Sequence, residues 1–156
     1  MLRGRALLAL TLALASGSSV AIAAERTGTN GADVLRGTGG ADRLVGRGGD
    51  DRLFGRGGPD RLLGGSGDDL LAGDAGGDQL VGGRGADTLV GGAGDDRLTM
   101  ELRGDARDTG AAGAGNDRVD ARDDAPDRIS CGPGFDVVRA DPGDAVARDC
   151  ERVGRG

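Results

Sequence analysis

The chain has 156 residues, enough for one domain, but 34 are glycine and only Phe54 and Phe135 are aromatic, which excludes an ordinary packed core. Its formal charge is −6 and its basic residues are all arginine; this balance argues against nucleic acid, whose binding rests on neutralising phosphates, and favours cations. With no histidine for general-base work, and no Ser or Cys in a nucleophile setting, it does not read as an enzyme.

The first element in chain order is a leader. Arg3 and Arg5 precede the apolar run from Ala6 to Ala15, and SGSSVAIAAE follows with small residues at the cut, the layout of a secretory signal peptide over residues 1–24. A membrane anchor is the alternative, but about ten apolar residues fall short of the roughly 20 that span a bilayer. Cleavage is expected after Ala23 or Ala24, giving a secreted, extracellular chain. Losing Arg3 and Arg5 takes the charge from −6 to −8.

From Gly28 the chain reads in nines: GTNGADVLR, GTGGADRLV, GRGGDDRLF, GRGGPDRLL, GGSGDDLLA, GDAGGDQLV, GGRGADTLV and GGAGDDRLT, ending at Thr99. Positions 1 and 4 are always Gly, position 6 is always Asp and position 8 is always Leu. Glycine lets the backbone take positive φ and turn tightly through positions 1 to 6. Positions 7 to 9 then form a short strand with the leucine pointing one way and its neighbours the other. Alone such a strand is unstable. Stacked copies pair as parallel strands about 4.8 Å apart, each burying its leucine only against its neighbours, which is a solenoid.

Stacking also lines up the aspartates. Like charges about 5 Å apart repel by roughly 0.8 kcal/mol in water and by more at lower effective dielectric, so the rows call for a cation between them. Carboxylates plus turn carbonyls suit a hard, oxygen-seeking ion such as Ca²⁺, whereas zinc and copper prefer His or Cys. A purely turn-shaping role would admit Asn or Ser at position 6, and neither occurs.

These units resemble the glycine-rich nonapeptide of RTX, or hemolysin-type, calcium-binding proteins over the 72 residues 28–99. The resemblance implies an all-β fold, a right-handed parallel β-roll with two nonapeptides per coil, and Ca²⁺ held between repeats n and n+2. The implied ligands are the carboxylates of Asp33, Asp42, Asp51, Asp60, Asp69, Asp78, Asp87 and Asp96. With them come the backbone carbonyls of Gly28, Gly37, Gly46, Gly55, Gly64, Gly73, Gly82 and Gly91. The inward ladder is Leu35, Leu44, Leu53, Leu62, Leu71, Leu80, Leu89 and Leu98. Carboxylates then pair as 33/51, 51/69 and 69/87 on one edge and 42/60, 60/78 and 78/96 on the other, allowing at most six sandwiched ions. Asp50, Asp68 and Asp95, at position 5, are expected as solvated turn acids. Arg47, Arg56 and Arg84 bring cations into the turns and are expected to weaken the sites they border, leaving repeats five to eight the better ones.

Two outward stripes accompany the repeats. Even copies place Val45, Leu63, Val81 and Thr99 at position 9 beside Arg43, Arg61, Gln79 and Arg97. Strand propensity accounts for such residues, and an apolar strip for self-association or a surface partner is the sharper alternative.

After Thr99 the period breaks, and residues 100–115 read as a loop. Residues 116–153 read as degenerate coils and a cap: Asp127 and Asp136 are nine apart, as are Ile129 and Val138. Calcium at Asp117, Asp127 or Asp136 is left open. The stretch CGPGFDVVRADPGDAVARDCERV resembles a C-terminal segment of exported RTX-like proteins of actinobacteria, which implies capping of the solenoid end. In an exported chain Cys131 and Cys150 most simply form one disulfide, two free buried thiols being the alternative. The resulting expectation is a non-catalytic exported protein that folds on binding Ca²⁺; a calcium-rigidified adhesion or surface-assembly protein is the rival.

Overall fold

Positions 6, 8 and 1 of successive units are spaced by two, so on an extended chain they share a face. In the computed structural model, which describes residues 23–100 and 106–155, that face is the inside: Asp51, Leu53 and Gly55 are all buried while Arg52 and Arg56 are exposed. The expected leader lies outside the described residues except for Ala23 and Ala24.

Strands run longer than the three residues expected. Each regular strand joins positions 7 to 9 of one unit to positions 1 to 3 of the next, as in Arg43–Gly48 and Arg52–Gly57. Alternate strands pair in parallel, register after register: Leu44 lies opposite Leu62, and Leu62 opposite Leu80. Two facing sheets result. One has eight strands, from Glu25–Thr27 to Arg152–Arg155, and the other seven, from Val34–Arg36 to Ala145–Val146. The described residues contain no helix. Two nonapeptides make one coil of an all-β parallel solenoid. Leu44, Leu53, Leu62, Leu71, Leu80 and Leu89, each 0% exposed, form the ladder between the sheets.

The loop expected over 100–115 is corrected. Thr109–Ala114 is a full strand of the seven-stranded sheet, pairing with Thr88–Ala93 and Arg128–Ser130. It was hidden because Gly110 stands where the ladder leucine should be. Met100 fills the gap from ten residues upstream: it stands where regular units have their first glycine, is fully buried, and occupies the space a Cβ on Gly110 would need.

At the C-terminal end the coils continue through Arg118–Ala121, Arg128–Ser130 and Val137–Ala140, burying Val119, Ile129 and Val138. Cys131 is buried in the core and bonded to Cys150, 19 residues on and roughly one coil later. The bridge ties the last coils together.

Candidate metal centre

Because position 6 faces inward, the aspartates do not ring the outside of the turns. They stand in two files along the interior. In the file of the seven-stranded sheet, the backbone N–H of Asp33, Asp51 and Asp69 donates to Oδ1 of Asp51, Asp69 and Asp87, each at 2.8 Å. In the other, Asp42, Asp60 and Asp78 donate to Oδ1 of Asp60, Asp78 and Asp96, each at 2.7 Å. The six expected carboxylate pairs are therefore adjacent in space, each linked through one main-chain donor.

Both files continue beyond the regular repeats. Asp87 donates to Asp108, Asp108 to Asp127 and Asp127 to Asp144 at 2.7 to 3.0 Å. Opposite them Asp96 donates to Asp117, Asp117 to Asp136 and Asp136 to Glu151 at 2.8 Å. Asp117, Asp127 and Asp136 thus belong to the same files as the repeat aspartates. Sequence reasoning missed Asp108, Asp144 and Glu151, because insertions and deletions shift their spacing to 21, 17 and 15 residues. An acid followed two places later by a small or apolar residue would have marked all three.

Only half of each carboxylate is used by these bonds. Oδ2 of Asp51, Asp60, Asp69, Asp78, Asp87 and Asp96 is buried with no hydrogen-bond partner, as is Oδ2 of Asp117, Asp127 and Asp136. Leaving an ionised oxygen dry and unpaired costs several kcal/mol, which a proton or a cation must remove. Asp33 and Asp42 differ. Thr29 donates its N–H and hydroxyl to Asp33 Oδ2, and Thr38 does the same for Asp42 Oδ2, so the first two units satisfy their own carboxylates.

The first glycine of each unit has a steric reason rather than the conformational one expected. Position 1 is absent from the residues with positive φ, which fall at positions 2 and 4, as at Arg47, Gly49, Arg56 and Gly58. A Cβ on Gly28 would lie 2.7 Å from both Asp33 Oδ2 and the Gly46 carbonyl oxygen. The same overlap, under 3 Å, recurs at Gly37, Gly46, Gly55, Gly64 and Gly73 with the oxygens of Gly55, Gly64, Gly73, Gly82 and Gly91. A carboxylate oxygen, orphaned from Asp51 on, and a neighbouring coil's carbonyl therefore converge where a side chain is missing. No such pairing involves the Gly28 and Gly37 carbonyls among the described residues.

Burial pushes these carboxyls up, against the opposing pull of the N–H from the preceding coil, and neighbouring carboxylates add to the rise. Asp60 and Asp69 reach about 6 and Asp87, Asp96 and Asp127 about 7; Asp51, Asp78, Asp117 and Asp136 are raised as well. Arg47, Arg56 and Arg84 do not relieve them. All three are exposed, and none forms an ion pair with an aspartate among the described residues. Asp50, Asp68 and Asp95 are exposed, and each accepts an N–H from the next coil.

The donor set is all oxygen, anionic and closely spaced, with buried acceptors lacking donors. It fits a hard divalent cation of the calcium type and offers nothing to a thiophilic metal, both cysteines being in the disulfide. No curated protein matches the chain. The family described as RTX calcium-binding nonapeptide repeat (4 copies) matches residues 27–62, 63–98 and 103–125, more than half the sequence. With the two-file geometry behind it, that match makes this chain a member of the RTX calcium-binding repeat family, a calcium-binding β-roll.

Proposed function

We propose that this calcium-binding β-roll is exported, folds as it takes up extracellular Ca²⁺, and has no catalytic role. The observation that supports the reading most is the set of six buried, unpartnered Oδ2 atoms from Asp51 to Asp96. Calcium would supply the positive charge that makes their burial favourable, and its binding free energy would then be folding free energy. The carboxylates of Asp33 to Asp96 and the first-glycine carbonyls act as ligands. Asp33 and Asp42 are the weaker members because threonine already occupies their second oxygen. Continuation of the files past Asp96 raises the candidate positions above the six allowed by the regular repeats.

Export rests on the leader layout and on the disulfide, which suits an oxidising compartment. No helix among the described residues is long and apolar enough to cross a membrane. Circular dichroism during Ca²⁺ titration, with Mg²⁺ as control, tests the proposal. Strand signal is expected to appear with Ca²⁺ alone; a folded protein indifferent to chelator overturns it.

The adhesion reading rests on the outer face of the eight-stranded sheet. There Arg43, Arg61, Gln79, Arg97 and Arg118 stand in register beside half-buried Val45, Leu63, Val81 and Thr99. Association in calcium that is lost on Leu63→Thr with Val81→Thr favours it, and a monomer throughout removes it.

A further inference from the structure

Between Ala121 and Arg128 the sequence ARDDAPDR departs from the nonapeptide, and four acids crowd the same corner of the roll: Asp123, Asp127, Asp141 and Asp144. They divide into two kinds. Asp141 and Asp144 each accept two main-chain N–H groups. Asp141 Oδ2 accepts the N–H groups of Asp123 and Asp124, while Asp144 accepts those of Asp127 and Asp141 through its two oxygens. These bonds fix the path of residues 122–127.

Asp123 and Asp127 each keep one oxygen in reserve. Asp123 Oδ1 closes a local turn by accepting the Ala125 N–H at 2.8 Å, and Asp127 Oδ1 accepts the Asp108 N–H at 2.9 Å. Oδ2 of both is buried with no hydrogen-bond partner, and Asp127 as a whole is only 1% exposed. Carboxylate oxygens of Asp108, Asp123 and Asp127 all lie within 4.8 Å of one another. No arginine pairs with Asp123 or Asp127 among the described residues.

The place in the fold matters. In the regular coils the orphaned oxygens of Asp51, Asp60, Asp69 and Asp78 are each accompanied by a neutral glycine carbonyl. The units carrying Asp108 and Asp127 begin instead with Met100 and Ala121, and Asp123 brings in a carboxylate from outside the repeat pattern.

We propose that Asp108, Asp123 and Asp127 form a separate three-carboxylate site for a hard divalent cation at the C-terminal end of the roll. Three anionic oxygens within one ion's reach match the ligand chemistry of Ca²⁺, whose affinity rises with the number of charged ligands. The site differs from the file positions because its third ligand is no part of either file, and it holds its ion after the regular coils have released theirs. The identity of the ion rests on the calcium reading above; the geometry of the site does not.

Asp123→Asn in the full chain tests it. The variant keeps the Oδ1 acceptor for Ala125 and removes no carboxylate of either file, and Asp124→Asn serves as control because Asp124 is exposed. Calcium stoichiometry by equilibrium dialysis is expected to fall by one ion in Asp123→Asn, the tightest of the set, and to be unchanged in Asp124→Asn. Equal stoichiometry in wild type and Asp123→Asn overturns the site alone, while a wild type that binds no calcium overturns the calcium reading as a whole. Should Asp123→Asn fail to fold, crystals of the wild type grown in Ca²⁺ decide. An anomalous peak touching Asp123 and Asp127 supports the site, and bare carboxylates there overturn it.

Discussion

Met100 and Gly110 exchange the parts that glycine and leucine play in every regular unit. Met100 stands at the first position and sends its side chain into the core, and Gly110 stands at the ladder position and leaves room for it, so that a Cβ on Gly110 would overlap Met100 Cε. Met100→Gly should destabilise the roll by about 2–5 kcal/mol through a cavity. Gly110→Leu should cost about 1–3 kcal/mol or more through overpacking. Combined, the two changes rebuild the ordinary pattern, so the double variant is expected to be closer to wild type than either single one. Urea unfolding in saturating calcium measures the cycle.

Arg47 and Arg56 hold φ values of 89° and 82°, a region in which a side chain costs about 1–2 kcal/mol. Glycine relieves that strain and gives back about 0.5–1 kcal/mol in backbone entropy. Arg47→Gly and Arg56→Gly are each expected to stabilise the roll by roughly 0.5–1 kcal/mol, from these two magnitudes. Chemical denaturation at fixed calcium checks the sign. The contrast is Gly65→Ala, where a Cβ would run into the Arg47 carbonyl; it should destabilise.

Asp69→Asn should change sign with calcium. The amide oxygen can still accept the Asp51 N–H, but the orphaned charge is gone. In calcium-free buffer at pH 8 the variant is expected to be more structured than wild type, because a buried, unpaired carboxylate has been neutralised. In millimolar calcium it should be less stable and bind fewer ions. Thermal melts of both proteins with and without calcium show whether the curves cross.

The same carboxylates predict the direction of pH dependence. Their folded values, raised to about 6 or 7 from an ordinary 3.8, mean that the ion-free roll binds more protons than the unfolded chain between about pH 4 and 7. Stability from this source is fully present below the unfolded value and lost as pH rises through the folded ones. Calcium-free protein should therefore gain strand signal as pH falls from 8 to 5. Calcium affinity should weaken over the same interval, because protons compete for Oδ2. Circular dichroism against pH, with and without calcium, reads both.

Much of the architecture is legible in the sequence because it is a consequence of period. A unit of nine with leucine at one place and aspartate two places earlier can satisfy itself only by stacking, and stacking pairs Asp51 with Asp69 and Asp60 with Asp78. Those readings need no knowledge of distant parts of the chain. The reason for the first glycine was not legible: it depends on an oxygen of its own unit and a carbonyl of the next coil meeting where its side chain would be. The strand at Thr109–Ala114 was not legible either, since its missing leucine is supplied by Met100 from outside the strand. Nor was the meeting of Asp108, Asp123 and Asp127, which insertions bring together across two coils. Local repetition determined the fold and the files of acids; which gaps are filled, which oxygens are left over and where the files end were decided by packing between coils, where space excluded by one residue is taken by another far along the chain.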